Sequence, residues 1–360
     1  MSFYNVIERI NIEHSSICNA ACPQCTREFK PGDYSWFDQT WLPTEFYEDR
    51  IPQNVYDNLK VIYFSGMVGD SCTAPNFLEV CKVIRRKAPE CFIHISTNGG
   101  MKTPKFWTEL ATILGEKGSV QFAIDGLEDT NHIYRVNVKW NKVVENVKAY
   151  RAANGKAEWQ FIAFKHNEHQ IPQVEELARE WGMEMVRIKR SNKFLVDDLF
   201  ELTNQGGNGV KIEYPTQEEY VHPLIFQRDR VSRINEAMNI TEDSSITCEA
   251  QENKAAYISA SGNMFPCVFT ATCVHLYKFK PLPDTFKDLW ETFGQDHTNL
   301  KINDWDNIVT GEFFNKIQEG WLQNYKNGKL AACGLFCSNS SCRIMETCIE
   351  TELPTKDLTS

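Results

Sequence analysis

The chain has 360 residues, 42% of them hydrophobic and 24% charged, with a net charge of −10 from 38 basic and 48 acidic side chains. That balance, with no basic stripe, argues against a phosphate-gripping nucleic-acid binder. No stretch is long and apolar enough for a membrane span, and the start lacks the basic and apolar regions of a secretory signal, so a cytoplasmic location is expected.

Residues 1–195 alternate between strand-like and helix-like patterns. Short apolar, β-branched runs lie at 6–13, 61–65, 92–97, 120–125, 159–164 and 185–189. Between them, Phe77, Leu78, Cys81 and Ile84 share one helical face, as do Val143, Val144, Val147 and Tyr150. A further helix is expected over 173–181, ending at Gly182. Strand alternating with helix predicts parallel βαβ units. Six units, two short of a closed barrel, predict an α/β fold built on a partial (β/α)6 TIM-like barrel. Residues 196–247 read as a linker with a helix over 227–238. Residues 248–348 read as a smaller, cysteine-rich domain with a β-hairpin, and 349–360 as a polar tail.

Thirteen cysteines without a secretory signal favour metal or redox chemistry over disulfides. Three of them, Cys18, Cys22 and Cys25, directly follow the first strand as C-x3-C-x2-C. A cubane iron–sulfur cluster normally takes four thiolates, so three leave one iron open. Spacing alone also admits part of a zinc site. Cys72, Cys81 and Cys91 are scattered and read as core thiols.

In parallel α/β folds the chemistry sits at the C-terminal strand ends. Here the second strand runs into Gly66-Met-Val-Gly69-Asp70, and the third into Thr97-Asn98-Gly99. The fourth ends in Ala123-Ile-Asp125-Gly126, with Arg135 ten residues after Asp125. Lys165, His166, Arg190 and Ser191 stand at the ends of the last two strands. Glycines let backbone approach a ligand, and an arginine fork suits a carboxylate.

This ordered series, from residue 6 to about 190, resembles the radical S-adenosylmethionine (radical SAM) superfamily. The resemblance implies a [4Fe-4S] cluster on Cys18, Cys22 and Cys25, whose open iron chelates S-adenosylmethionine. It also implies cofactor contacts from Gln24, Gly66, Gly69, Asp70, Thr97, Asn98, Asp125 and Arg135, with Arg135 near the cofactor carboxylate. Two residues depart from the family pattern. Ala123 stands where a serine is usual, and Gln24 replaces an aromatic residue that leans on the adenine.

Farther on, Cys248 and Cys267 frame Gly262 as C-x13-G-x4-C, followed by Cys273, Cys333, Cys337, Cys342 and Cys348. This looks like the SPASM or twitch extension of the same superfamily. It implies one or two auxiliary [4Fe-4S] clusters, with Cys248 and Cys267 sharing one with two cysteines of the 333–348 group. A zinc ribbon is the alternative for these cysteines.

The implied activity is reductive cleavage of S-adenosylmethionine to a 5′-deoxyadenosyl radical that abstracts hydrogen from a substrate. Oxidative modification of a peptide or protein side chain is expected. A small molecule or sugar is the alternative substrate, and a non-catalytic zinc- or cluster-binding protein the alternative class. An electron donor such as flavodoxin or ferredoxin is the expected partner. No catalytic side chain is singled out.

Overall fold

The computed structural model describes residues 6–29, 32–196, 207–226, 245–276, 284–324, 327–337 and 347–353. The helix expected over 227–238 and Cys342 lie outside these residues.

Nine strands among the described residues form one sheet in the order β8-β7-β1-β2-β3-β4-β5-β6-β9. Six of them are the expected parallel series: β1 Arg9–Ile12, β2 Val61–Phe64, β3 Phe92–Thr97, β4 Gly118–Ala123, β5 Lys156–Ile162 and β6 Met185–Arg190. They pair in sequence order, each parallel to the next. The crossovers carry helices α1 Phe77–Lys87, α2 Pro104–Leu114, α3 Asn131–Tyr134, α4 Trp140–Ala152 and α5 Ile171–Glu180. This is the parallel α/β sheet of a partial TIM-like barrel. Helix α5 stops just before Gly182, whose φ of 69° is a conformation that side chains resist.

The strands alternate in polarity. Ile93, Ile95, Val120, Phe122, Trp159, Phe161, Val186 and Ile188 are buried toward the helices. Each such side chain contributes roughly 1.5–3 kcal/mol on leaving water. Their neighbours His94, Ser96, Gln121, Glu158, Gln160, Arg187 and Lys189 point to the other face and stay partly exposed. Parallel sheets are usually apolar on both faces. Here the inner face is polar, as the wall of a ligand cavity must be.

That alternation explains where expected and observed strands differ. β4 and β5 begin two and three residues earlier than the apolar runs suggest, because Ser119 and Glu158 belong to the polar face. They end at Ala123 and Ile162, which releases Asp125 and Phe164 from the ladder to shape the strand ends.

The C-terminal part departs further from the sequence reading. The hairpin exists, with β7 Ala255–Ile258 antiparallel to β8 Met264–Phe265 and Gly262 at a φ of 96° in its turn. But β7 also pairs in parallel with β1 and so extends the barrel sheet. At the opposite edge, β9 Thr347–Glu352 runs antiparallel to β6, Cys348 opposite Lys189. The tail expected from 349 is therefore strand up to Glu352. Its Thr-Cys-Ile-Glu-Thr-Glu composition hid an edge strand, which needs only one apolar face. Helices α6 Val268–Leu276, α7 Asp284–Phe293, α8 Glu312–Gly320 and α9 Ala331–Cys337 complete this part. Phe265, Trp290 and Phe313 join the same apolar core as Ile10, Phe64 and Trp159.

His14, fully buried after β1, bonds the Tyr47 hydroxyl at 2.9 Å and Asn76 Oδ1 at 3.3 Å. Burial lowers its pKa to about 3. The unfolded chain protonates near pH 6.5, so this histidine withdraws stability as the pH falls from there toward 3. Between pH 6.5 and 5 the loss is about 2 kcal/mol. Denaturant titrations should show that slope in the wild type, reduced by this amount in His14→Gln.

Candidate active site

The three cysteines lie on the loop leaving β1. Backbone bonds shape it: Cys25 N–H to Cys22 O and Glu28 N–H to Cys25 O, both 2.9 Å, and Ala21 N–H to Val136 O at 3.1 Å. Two N–H groups aim at Cys18 Sγ, from Ala20 at 3.4 Å and Asn98 Nδ2 at 3.7 Å. Arg135 Nη1 lies 3.5 Å from Cys22 Sγ. Donors of this kind suit thiolates. Burial raises all three thiol pKa values, that of Cys22 to about 12, so deprotonation must come from metal coordination.

The loop after β2 packs against this segment backbone to backbone. A Cβ on Gly69 would lie 1.9 Å from Ser15 O, and one on Gly66 the same distance from Gly69 O. Asp70 anchors the next strand end. Its Oδ2 accepts from Thr97 Oγ1 at 2.8 Å, from Asn98 N–H at 2.9 Å and from Asn98 Nδ2 at 2.8 Å; Oδ1 accepts from Cys72 N–H at 3.0 Å. Most of the acceptor capacity expected to serve the cofactor is thus spent inside the protein. Burial pushes the Asp70 carboxyl pKa up, opposed by these donors.

Asp125 is fully buried and holds Arg135, Oδ2 to Nε 2.5 Å. Its Oδ1 also accepts from Ile162 N–H at 2.6 Å. Burial pushes the Asp125 carboxyl up while Arg135 pulls it back, and the carboxylate beside Arg135 keeps that guanidinium charged. Gln24 is buried, and Ser191 Oγ donates to its Oε1 at 3.2 Å, which fastens the cluster loop to the end of β6. His166 stacks on Phe164, ring centroids 5.5 Å apart; burial lowers its pKa to about 4 and keeps it neutral.

Two residues of this site were not anticipated. Glu13 is buried, and its Oε1 accepts from Val68 N–H at 2.7 Å and Gly69 N–H at 3.2 Å. The signal was a charged residue in phase with Asn11, on the polar face of β1. Arg27 Nη1 donates to Ser16 O at 2.9 Å and Val68 O at 3.3 Å, with its guanidinium 4.0 Å from the Tyr34 ring centroid. Nothing in its spacing marked it.

Of the C-terminal cysteines, Cys248, Cys267, Cys333 and Cys337 line one small cavity walled by Phe269, Ile317 and Trp321. The thiols of Cys248 and Cys337 hydrogen-bond across it. Cys273 is buried on α6 close enough to sense Cys267 but does not line the cavity. Cys348 is exposed on β9 beside β6. Cys72, Cys81 and Cys91 are buried as free thiols, in keeping with their core reading.

Residues 12–178 match the model of the Radical SAM superfamily. These residues form a radical SAM domain. SuiB of Streptococcus suis superposes with a TM-score of 0.54 at 14% identity, over 88% of this chain and 69% of that one. The protein anSMEcpe with bound S-adenosylmethionine gives 0.50 at 13%, over 91% and 88%. These likenesses are of fold. No curated protein sequence matches the chain.

The residues of this radical SAM site fit the cluster the family implies. Three thiols, Cys22 buried and Cys18 and Cys25 half-buried, lie on one loop, and the glycine contacts leave no room for side chains beside it. Among the described residues no three His, Cys, Asp or Glu side chains converge as ligands of one ion would. A cubane asks for no such convergence, because each thiolate takes its own iron.

Asp70→Asn puts an NH2 donor where a carboxylate oxygen accepts from N–H or O–H groups and should lower stability by about 2–3 kcal/mol. It should also reduce iron retention in anaerobically prepared protein. Gly69→Ala forces the two loops apart and should lose the cluster outright. Iron content and thermal unfolding of both variants check this.

Proposed function

We propose that this radical SAM enzyme performs oxidative modification of a peptide or protein side chain, using one auxiliary cluster besides the N-terminal one. Cys18, Cys22 and Cys25 hold the first [4Fe-4S] cluster; Cys248, Cys267, Cys333 and Cys337 hold the second. The observation that carries this reading is the sorting of seven thiols into a group of three and a group of four. Bound together, the first cluster and S-adenosylmethionine supply a 5′-deoxyadenosyl radical for hydrogen abstraction.

The chain's own residues do the positioning. Ala20 N–H and Asn98 Nδ2 stabilise charge on Cys18 Sγ, and Arg135 Nη1 does so on Cys22 Sγ. Hydrogen bonds to cluster sulfurs tune the potential. Arg135, whose guanidinium lies beside Cys22 Sγ, is the donor we assign to the cofactor carboxylate. Tyr134 is buried beside Cys22 and Cys25, its ring 4.5 Å from that of Phe164 and tilted by 37°.

A substrate held on the inner sheet face meets carboxamides. Asn11 Oδ1 accepts from Ser65 Oγ at 2.8 Å, and Gln121 and Gln160 stand on the same face. A carboxamide offers one donor edge and one acceptor, the match of a peptide group. In keeping with this, a solved structure of anSMEcpe with S-adenosylmethionine and the Kp18Cys peptide gives a TM-score of 0.50 at 12% identity.

Anaerobically reconstituted wild type should carry about eight irons per chain, and Cys333→Ala about four. With S-adenosylmethionine and dithionite the wild type should form 5′-deoxyadenosine, and Cys22→Ala none. A mixture of short peptides should raise that rate above its uncoupled level. Absence of 5′-deoxyadenosine from wild type with a fully loaded first cluster would refute the radical reading. Stimulation by sugars but not peptides would refute the substrate class.

A further inference from the structure

A second cavity, of about 480 Å³, opens between the β7–β8 hairpin, α7 and the loop at 35–38. That size suits a bound ligand group rather than a packing defect. Its walls are aromatic: Trp36 and Phe37, ring centroids 4.5 Å apart, and Phe265 stacked on Trp290 at 5.5 Å. Its floor is the buried carboxyl of Glu13, whose Oε2 accepts from the Tyr257 hydroxyl at 3.2 Å while Oε1 accepts from Val68 and Gly69 N–H. At its mouth stand Asp38 and Asp296, both exposed.

Three carboxylates therefore line the cavity, and no lysine, arginine or histidine does. Two cations lie close to the cavity without lining it. Arg27 covers the Phe37 ring at 5.3 Å, and Lys301 acts on Asp38 from outside. An anion placed here meets like charge at the mouth, from Asp38 and Asp296. A neutral apolar group gives the exposed carboxylates of Asp38 and Asp296 no counter-charge. A planar cation on an alkyl stem satisfies both features, since it stacks on aromatic faces and ends on a carboxylate.

We propose that this cavity binds an arginine side chain of the substrate. The source of that side chain rests on the peptide reading; the chemistry of the cavity does not. Ser16 and Val68 contribute to the lining. Ser16 precedes Cys18 by two residues, and Val68 sits on the loop packed against it. An arginine anchored here tethers its chain beside the cluster loop and selects which neighbouring residue reaches the radical.

The test is a calorimetric titration of the reconstituted full chain with N-acetyl-L-arginine amide, without S-adenosylmethionine and without turnover. It succeeds or fails whatever the enzyme's substrate proves to be. The arginine probe should bind saturably. N-acetyl-L-citrulline amide, of the same shape but uncharged, should bind at least about tenfold more weakly. The double variant Asp38→Asn/Asp296→Asn should lose about tenfold for the arginine probe alone. No saturable arginine binding, equal binding of citrulline, or an unchanged double variant would each overturn the proposal. The citrulline comparison needs no variant, and both substituted carboxylates are exposed, which protects the test from a folding defect.

Discussion

Everything in the cluster site depends on one close backbone approach. The segment Ser15–Ile17 and the loop after β2 touch main chain to main chain, with a hydrogen at Gly69 where any other residue has a carbon. That contact sets where Cys18 begins, because Asp70 N–H donates to Ile17 O at 2.9 Å. Asp70 then passes the constraint on to the Thr97–Asn98 turn, and Asn98 Nδ2 returns it to Asn19 Oδ1 at 2.9 Å and to Cys18 Sγ. Three strand ends are thereby locked around the first thiol before any ligand arrives. Such preorganisation of ligands by their outer partners is what holds a metal site in shape.

The two carboxylates of the site follow one physical pattern. Asp70 and Asp125 are both buried, and each is surrounded by protein donors rather than left open to a ligand. Burial alone would drive them neutral; the donors keep an ionised form affordable. Their work is structural in both cases. Asp70 fixes the turn that feeds Cys18, and Asp125 fixes the guanidinium beside Cys22. The sequence motifs suggest direct cofactor contact from both residues; a motif records identity and spacing and says nothing about where hydrogen bonds are spent.

The parallel series was legible because its buried half is strongly apolar and β-branched, and Phe92–Thr97 coincides with its run to the residue. Boundaries slipped where polar inner-face residues opened a strand, as at Ser119 and Glu158. The thiol triad was legible from spacing, since consecutive cysteines on one loop have little freedom. The C-terminal group was only half legible. Cys248 and Cys267 are linked by a hairpin with a glycine signal, whereas Cys333 and Cys337 arrive from a distant helix whose placement depends on tertiary packing. The same holds for β7 beside β1 and for β9 beside β6, where pairing joins segments far apart in the chain.

Those two pairings also bear on synthesis. β1 gains its second neighbour only when residues 255–258 have been made, and β6 only when 347–352 have been made. Until then both margins of the growing sheet present unpaired main-chain groups, the kind of surface that recruits other strands. The long sequence separation of the β1–β7 contact delays closure and slows folding. A nascent chain therefore passes through a stage in which the first cysteine loop is complete while its sheet is still open. Through that stage the chain carries open sheet margins, the condition in which a chaperone is most useful.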